Sequence, residues 1–79
     1  MPTLLYLNGF RFFFYSNESN ELIHVHVIKG DGIGKIWLEP QMKIGYFKGF
    51  TKSEEKYILE MVAQNFIEFK KQWNAYFSK

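Results

Sequence analysis

The chain has 79 residues, with ten Lys and Arg against eight Asp and Glu, a formal net charge of +2 with His neutral, and no cysteine. Those figures admit one domain (residues 1–79) and exclude a disulfide framework, thiolate chemistry and any cysteine-based zinc site; the charge is too weak to indicate a nucleic-acid partner unless it is clustered. A domain of this size hides only about 60–65% of the surface its unfolded chain exposes, and nine Phe, five Tyr and two Trp supply the bulk its core needs.

Met1-Pro2-Thr3 leads straight into a strand-like run, with no basic segment and no long apolar segment of the kind a secretory signal carries. No run approaches the roughly 18 apolar residues of a membrane span. With no cysteine, these features lead us to expect a cytoplasmic protein that does not engage a membrane. Thr3 to Leu7 and Phe10 to Tyr15 flank Asn8-Gly9, a two-residue hairpin signal, because a type I′ turn needs φ > 0 at both central positions. Leu5, Leu7, Phe10, Phe12 and Phe14 then share one face, and Leu4, Tyr6, Arg11, Phe13 and Tyr15 the other. Residues 16–21, Ser-Asn-Glu-Ser-Asn-Glu, form a polar loop to a second hairpin.

That hairpin spans His24 to Glu39 with Asp31-Gly32 as its turn. The expected register sets Gly30 opposite Ile33, Ile28 opposite Lys35, Val27 opposite Ile36, His26 opposite Trp37, Val25 opposite Leu38 and His24 opposite Glu39. Val25, Val27, Ile36 and Leu38 share an apolar face; His24, His26, Ile28, Lys35, Trp37 and Glu39 share the other. After Pro40, Gln41 to Tyr46 reads as a short fifth strand at an edge. Thr51 and Glu54 then have the spacing of a capping box. Behind them Ile58, Met61, Val62, Asn65, Phe66, Phe69, Trp73 and Phe77 form a stripe at helical spacing. Lys52, Lys56, Glu60, Gln64, Glu68 and Lys71 fall on the solvated side. The pattern predicts one helix from about Lys52 to Tyr76, within residues 51–77, with Lys70, Lys71 and Lys79 near its negative end. The expected fold is α+β: an antiparallel sheet of four to five strands in residues 1–48, with one long C-terminal helix packed on one face.

Several of these segments together resemble a known family. Met1-Pro2-Thr3, Gly9-Phe10-Arg11-Phe12-Phe13-Phe14-Tyr15-Ser16-Asn17-Glu18, His24-Val25-His26-Val27, Lys29-Gly30-Asp31-Gly32, Lys35-Ile36-Trp37-Leu38-Glu39-Pro40, Gly49-Phe50-Thr51 and Trp73-Asn74-Ala75-Tyr76-Phe77 are similar to bacterial proteins of the domain of unknown function 4160 family, over nearly the whole chain. Leu22-Ile23 stand where that family often has one or two prolines. The resemblance implies a cytoplasmic bacterial protein. It also implies a protein partner, self or a protein of the domain of unknown function 2442 type encoded nearby in a toxin–antitoxin-like gene pair.

The chemistry-bearing side chains collect on the sheet face opposite the expected helix: His24, His26, Lys35, Trp37, Glu39, Arg11, Tyr6 and Tyr15. Two imidazoles one strand step apart can chelate a metal if Glu39, Glu18 or Glu21 adds a third ligand. They can also act as general acid and base in metal-independent RNA cleavage, with Lys35 or Arg11 stabilising the phosphorane. The plain alternative is that they stack on Trp37 and pair with Glu39. Cations among aromatics suit unpaired nucleic acid, while aromatics and Arg are the residues of protein interfaces. Gly30-Asp31-Gly32-Ile33-Gly34 lies in a hairpin with no helix after it, so it is not a phosphate loop. Phe66, Phe69 and Trp73 read as core. The preferred expectation is a protein-interaction module using the histidine-bearing face, with no cofactor; a nucleic-acid-binding or RNA-cleaving protein using the same face is the alternative.

Overall fold

A computed structural model of the chain describes residues 3–78. Five antiparallel strands form one sheet in sequential order: β1 (Thr3–Leu7), β2 (Phe10–Phe13), β3 (His24–Lys29), β4 (Gly32–Trp37) and β5 (Lys43–Lys48). Two helices follow, α1 (Lys52–Gln64) and α2 (Phe66–Phe77). The class is α+β as expected, with both hairpins present and the fifth strand at an edge, although β5 starts at Lys43 rather than Gln41.

At the first turn Asn8 and Gly9 have φ of 53° and 84°, as a type I′ turn demands, and Leu7 pairs with Phe10. The Asn8 carboxamide donates to the Tyr57 hydroxyl at 2.7 Å, tying this turn to α1. A register irregularity between Thr3 and Leu5 departs from strict alternation, and Leu4 and Leu5 both pack on the core. The second hairpin corrects the expected register by two residues. Lys29 pairs with Gly32, Val27 with Gly34, His26 with Lys35, Val25 with Ile36 and His24 with Trp37. The turn is therefore Gly30-Asp31, with positive φ at Gly30 alone, the pattern of a type II′ turn. A shift of two preserves strand parity, so the side chains of His24–Lys29 and Gly32–Trp37 keep their expected alternation.

Phe10, Phe12, Val25, Val27, Ile36 and Leu38 on one sheet face meet Ile58 and Val62 of α1 and Phe69 of α2. Burial of these apolar side chains, at about 1.5–3 kcal/mol each for the larger aliphatics and Phe, is what holds the layers together. The capping box forms: Glu54 N–H donates to Thr51 Oγ1 at 3.1 Å, and Thr51 N–H to Glu54 Oε1 at 2.9 Å. Thr51→Ala is expected to cost about 1 kcal/mol, read from the urea midpoint. The Thr51 N–H holds the Glu54 carboxyl below its ordinary range, helped by Lys29. Its stabilisation is therefore present above the ordinary carboxylate value and lost as pH falls through the lowered one. Glu54→Gln should remove that part of the acid dependence in pH-resolved melting.

The expected single helix is two, and Asn65 separates them. Its backbone sits at φ −108°, ψ 16°, and its side-chain Nδ2 donates to the Met61 carbonyl at 2.8 Å, the oxygen that its own N–H also uses at 3.0 Å. A side chain that competes for the helical acceptor bends the helix. The apolar stripe continues across the bend through Ile58, Val62, Phe69 and Trp73, all buried. Lys70 lies far from the expected helix end: it pairs with Glu39 at 2.6 Å and covers the Phe66 ring. Lys79 and Met1-Pro2 fall outside the described residues.

Candidate functional site

β3 sends the side chains of His24 and His26 to the same side of the sheet, as period-two alternation requires. Their cross-strand neighbours on that side are Trp37 and Lys35 in β4, with Phe13 of β2 beside His26. The expected pairing of His24 with Glu39 does not occur, because the register shift puts Trp37 there and Glu39 turns to Lys70.

The polar loop between the hairpins folds back over these rings. Glu18 N–H donates to the Tyr15 carbonyl at 3.3 Å, and Glu21 N–H to the Glu18 carbonyl at 3.0 Å. These turns aim the Glu18 carboxylate inward. Its Oε1 accepts from Tyr15 N–H at 2.9 Å and lies 3.0 Å from His24 Nε2; its Oε2 lies 3.0 Å from His26 Nε2. Of the three acids that the sequence offers as third ligand, Glu18 is thus the one brought to the histidines. Glu21 instead pairs with Lys35 at 3.3 Å.

His24 has no exposed surface, and Glu18 and His26 are each 9% exposed. That corrects the expectation of an open histidine face. The loop covers one side of the rings, and aromatic residues wall the rest. Phe13 stacks on His26 with centroids 5.5 Å apart, Tyr15 meets His26 edge-on at 4.9 Å, and Trp37 and Trp73 each meet His24 edge-on at 5.1 Å. Trp73, which the sequence assigns to the core, therefore also walls the site from α2. Only the aromatic content of the C-terminal helix hinted at that second contact.

The protonation pattern follows from the partners. His24 Nδ1 lies 2.8 Å from the Leu22 carbonyl. A carbonyl only accepts, so Nδ1 carries the hydrogen, and in the neutral ring Nε2 presents a lone pair. That Nε2 is buried and has no hydrogen-bond partner among the described residues, although a carboxylate oxygen is 3.0 Å away. Burial alone would raise the Glu18 pKa, but His26 and the Tyr15 N–H hold it below the ordinary carboxylate value. Burial pushes the His26 pKa down, and Glu18 offsets only part of this.

The remaining sequence-predicted residues lie around this cluster. The Lys35 ammonium sits 4.2 Å over the half-buried Trp37 ring. Arg11 Nε donates to Thr3 Oγ1 at 2.9 Å, and its guanidinium lies 5.1 Å over Phe13. Tyr6 is 69% exposed and Tyr15 43%. Acid–base cleavage of RNA needs both imidazoles at the substrate; an enclosed His24, with both rings turned to Glu18, does not meet that requirement. The arrangement can instead hold a proton or a cation between a carboxylate and two imidazoles. A family described as a domain of unknown function (DUF4160) matches residues 9–74, and the chain belongs to that family. Neither the curated proteins nor the solved structures contain a match.

Proposed function

We propose that this member of the DUF4160 family is a small protein-interaction module that docks its partner on the sheet face opposite the helices. One observation supports the reading. Tyr6 (69% exposed), Tyr46 (44%) and Ile33 (41%) stand on that face among Arg11, Lys35 and Lys48. The face runs into a groove lined by Leu22, Trp37, Glu39, Pro40, Lys43 and Ile44. Large apolar side chains beside Arg, with a concavity for an anchor, are what interface centres use. The two histidines lie beneath this surface and support it rather than belong to it.

The partner proposed is an acidic protein surface with an apolar ridge, complementary to Arg11, Lys35, Lys43 and Lys48. A second small protein from an adjacent gene, in a bacterial toxin–antitoxin-like pair, fits that description, and a second copy of this chain is the other candidate. Absence of cysteine suits work in a reducing cytoplasm.

A second reading has its own support. The same face interleaves Tyr6 with Arg11 and places Lys35 between Trp37 and Tyr46, an alternation on which unpaired bases stack. Tyr6→Ala and Tyr46→Ala separate the two. Both side chains are exposed, so stability should stay within about 0.5 kcal/mol. Each change is expected to weaken the complex with the co-encoded protein by about 1–2 kcal/mol in calorimetry. Unchanged partner affinity, with lost affinity for single-stranded RNA, would replace the first reading with the second.

A further inference from the structure

We infer that Glu18, His24 and His26 form a binding site for one divalent transition-metal ion of the zinc class, which clasps residues 15–23 onto β3. Each contributes one ligand atom, and none of these atoms lies further than 4.8 Å from another. The second and independent observation is His24 Nε2. It is a fully enclosed nitrogen on a ring whose Nδ1 hydrogen the Leu22 carbonyl takes, so that in the neutral ring a lone pair faces the cluster, and it has no hydrogen-bond partner among the described residues. In the neutral ring that nitrogen and Glu18 Oε1 are two acceptors 3.0 Å apart. Only a positive species between or beside them makes this contact favourable.

The surroundings match what metal ligands need. A ligating imidazole usually donates its other N–H to a carbonyl or carboxylate, and a ligating carboxylate is itself hydrogen-bonded. Here Leu22 O receives His24 Nδ1–H, and Tyr15 N–H donates to Glu18 Oε1. Phe13, Trp37 and Trp73 wall the site with apolar surface, and low polarity strengthens any charge interaction within it. Two nitrogens and one carboxylate suit Zn²⁺, Co²⁺, Ni²⁺ or Fe²⁺, whereas Ca²⁺ and Mg²⁺ ask for oxygen donors. Ligand atoms on a tetrahedral zinc ion stand about 3.4 Å apart at bonds of about 2.0–2.1 Å. Binding therefore requires ring and carboxylate movements on the order of an ångström, within the play of a loop side chain. Three protein ligands leave a fourth position for water or for a group brought by a partner.

The test uses the tag-free, chelator-stripped chain titrated with Zn²⁺ against a chromophoric competitor. Thermal melting and the visible spectrum of the Co²⁺ form are recorded in parallel. Expected are one ion per chain, a melting temperature that rises with Zn²⁺ and returns with EDTA, and cobalt absorption of low-symmetry four-coordinate type. No response is expected to Mg²⁺ or Ca²⁺. Glu18→Gln and His26→Gln should lose affinity by about 100-fold or more. Failure of the wild-type chain to bind Zn²⁺, or equal binding by folded Glu18→Gln, overturns the site and leaves a proton as the positive species. Should both variants unfold, the wild-type cobalt spectrum decides: absorption of free aqueous Co²⁺ ends the proposal.

Discussion

Trp73→Ala is expected to be the most destabilising single change, removing about 3–5 kcal/mol. Its indole is 5% exposed and lies 5.0 Å from the Phe14 ring, 4.7 Å from Phe77 and 5.1 Å from His24, centroid to centroid. Truncating a buried Trp costs about 3–5 kcal/mol, because the transfer free energy is lost and the hole only partly collapses. A chain of this length has about 4–12 kcal/mol in total, at about 0.05–0.15 kcal/mol per residue. Collapse is difficult here, since the site is bounded by the stiff start of β3 on one side and by Phe14 at the end of β2 on the other. His24 would also lose one of its two indole walls and take up water beside an enclosed imidazole. Trp73→Phe keeps a ring in place and should cost less than half as much. Urea unfolding followed by far-ultraviolet circular dichroism measures both. A loss below about 1 kcal/mol for Trp73→Ala would show that the end of α2 carries little of the stability.

How much of this was legible depends on whether the deciding interaction was local. Asn8-Gly9 announced its hairpin and delivered the I′ geometry with its register near the turn. The capping box at Thr51 and Glu54 was likewise a four-residue matter. In the second hairpin, Asp31-Gly32 and Gly30-Asp31 are both acceptable turns, so short-range chemistry did not choose between them. The choice came from across the fold. In the observed register Gly34 lies beneath the Phe47 ring, where a Cβ would come within 2.8 Å of it, and Gly32 lies beneath Phe50 in the same manner. The faces survived the error only because a shift of two keeps parity. Asn65 was visible as the polar member of an apolar stripe, yet its break needed the side chain's bond to Met61. Alternation could say that His24, His26, Lys35 and Trp37 share a side. It could not say that a six-residue polar loop would cover the two histidines. Charged and polar loops are read as solvent-facing, and Glu18 becomes an inward group only because two imidazoles await it.

Glu18→Ala is expected to be the second most damaging single change, at about 3 kcal/mol in metal-free protein. The loss has three sources that a count of contacts would merge. His26 Nε2 loses its only hydrogen-bonded acid, and the Tyr15 N–H loses its acceptor. Residues 15–23 also lose the group that holds them over β3. A buried polar atom left without a partner costs about 1–3 kcal/mol, and two are created here beside the one already present on His24. Glu18→Gln tests whether charge or hydrogen bonding matters more. With its amide oxygen in the Oε1 place it still accepts from Tyr15 N–H, and its NH₂ then takes the Oε2 place and can donate to a lone pair on His26 Nε2. Glu18→Gln should therefore lie closer to wild type than Glu18→Ala in metal-free buffer, while losing the Zn²⁺-dependent rise in melting temperature. Amide exchange at Tyr15 should accelerate strongly in the alanine variant and only slightly in the glutamine variant, because that N–H reports directly on whether the loop stays closed. If the glutamine variant were no more stable than the alanine variant, the negative charge that both lack, and not the hydrogen bonds, would be what holds the loop over the two imidazoles.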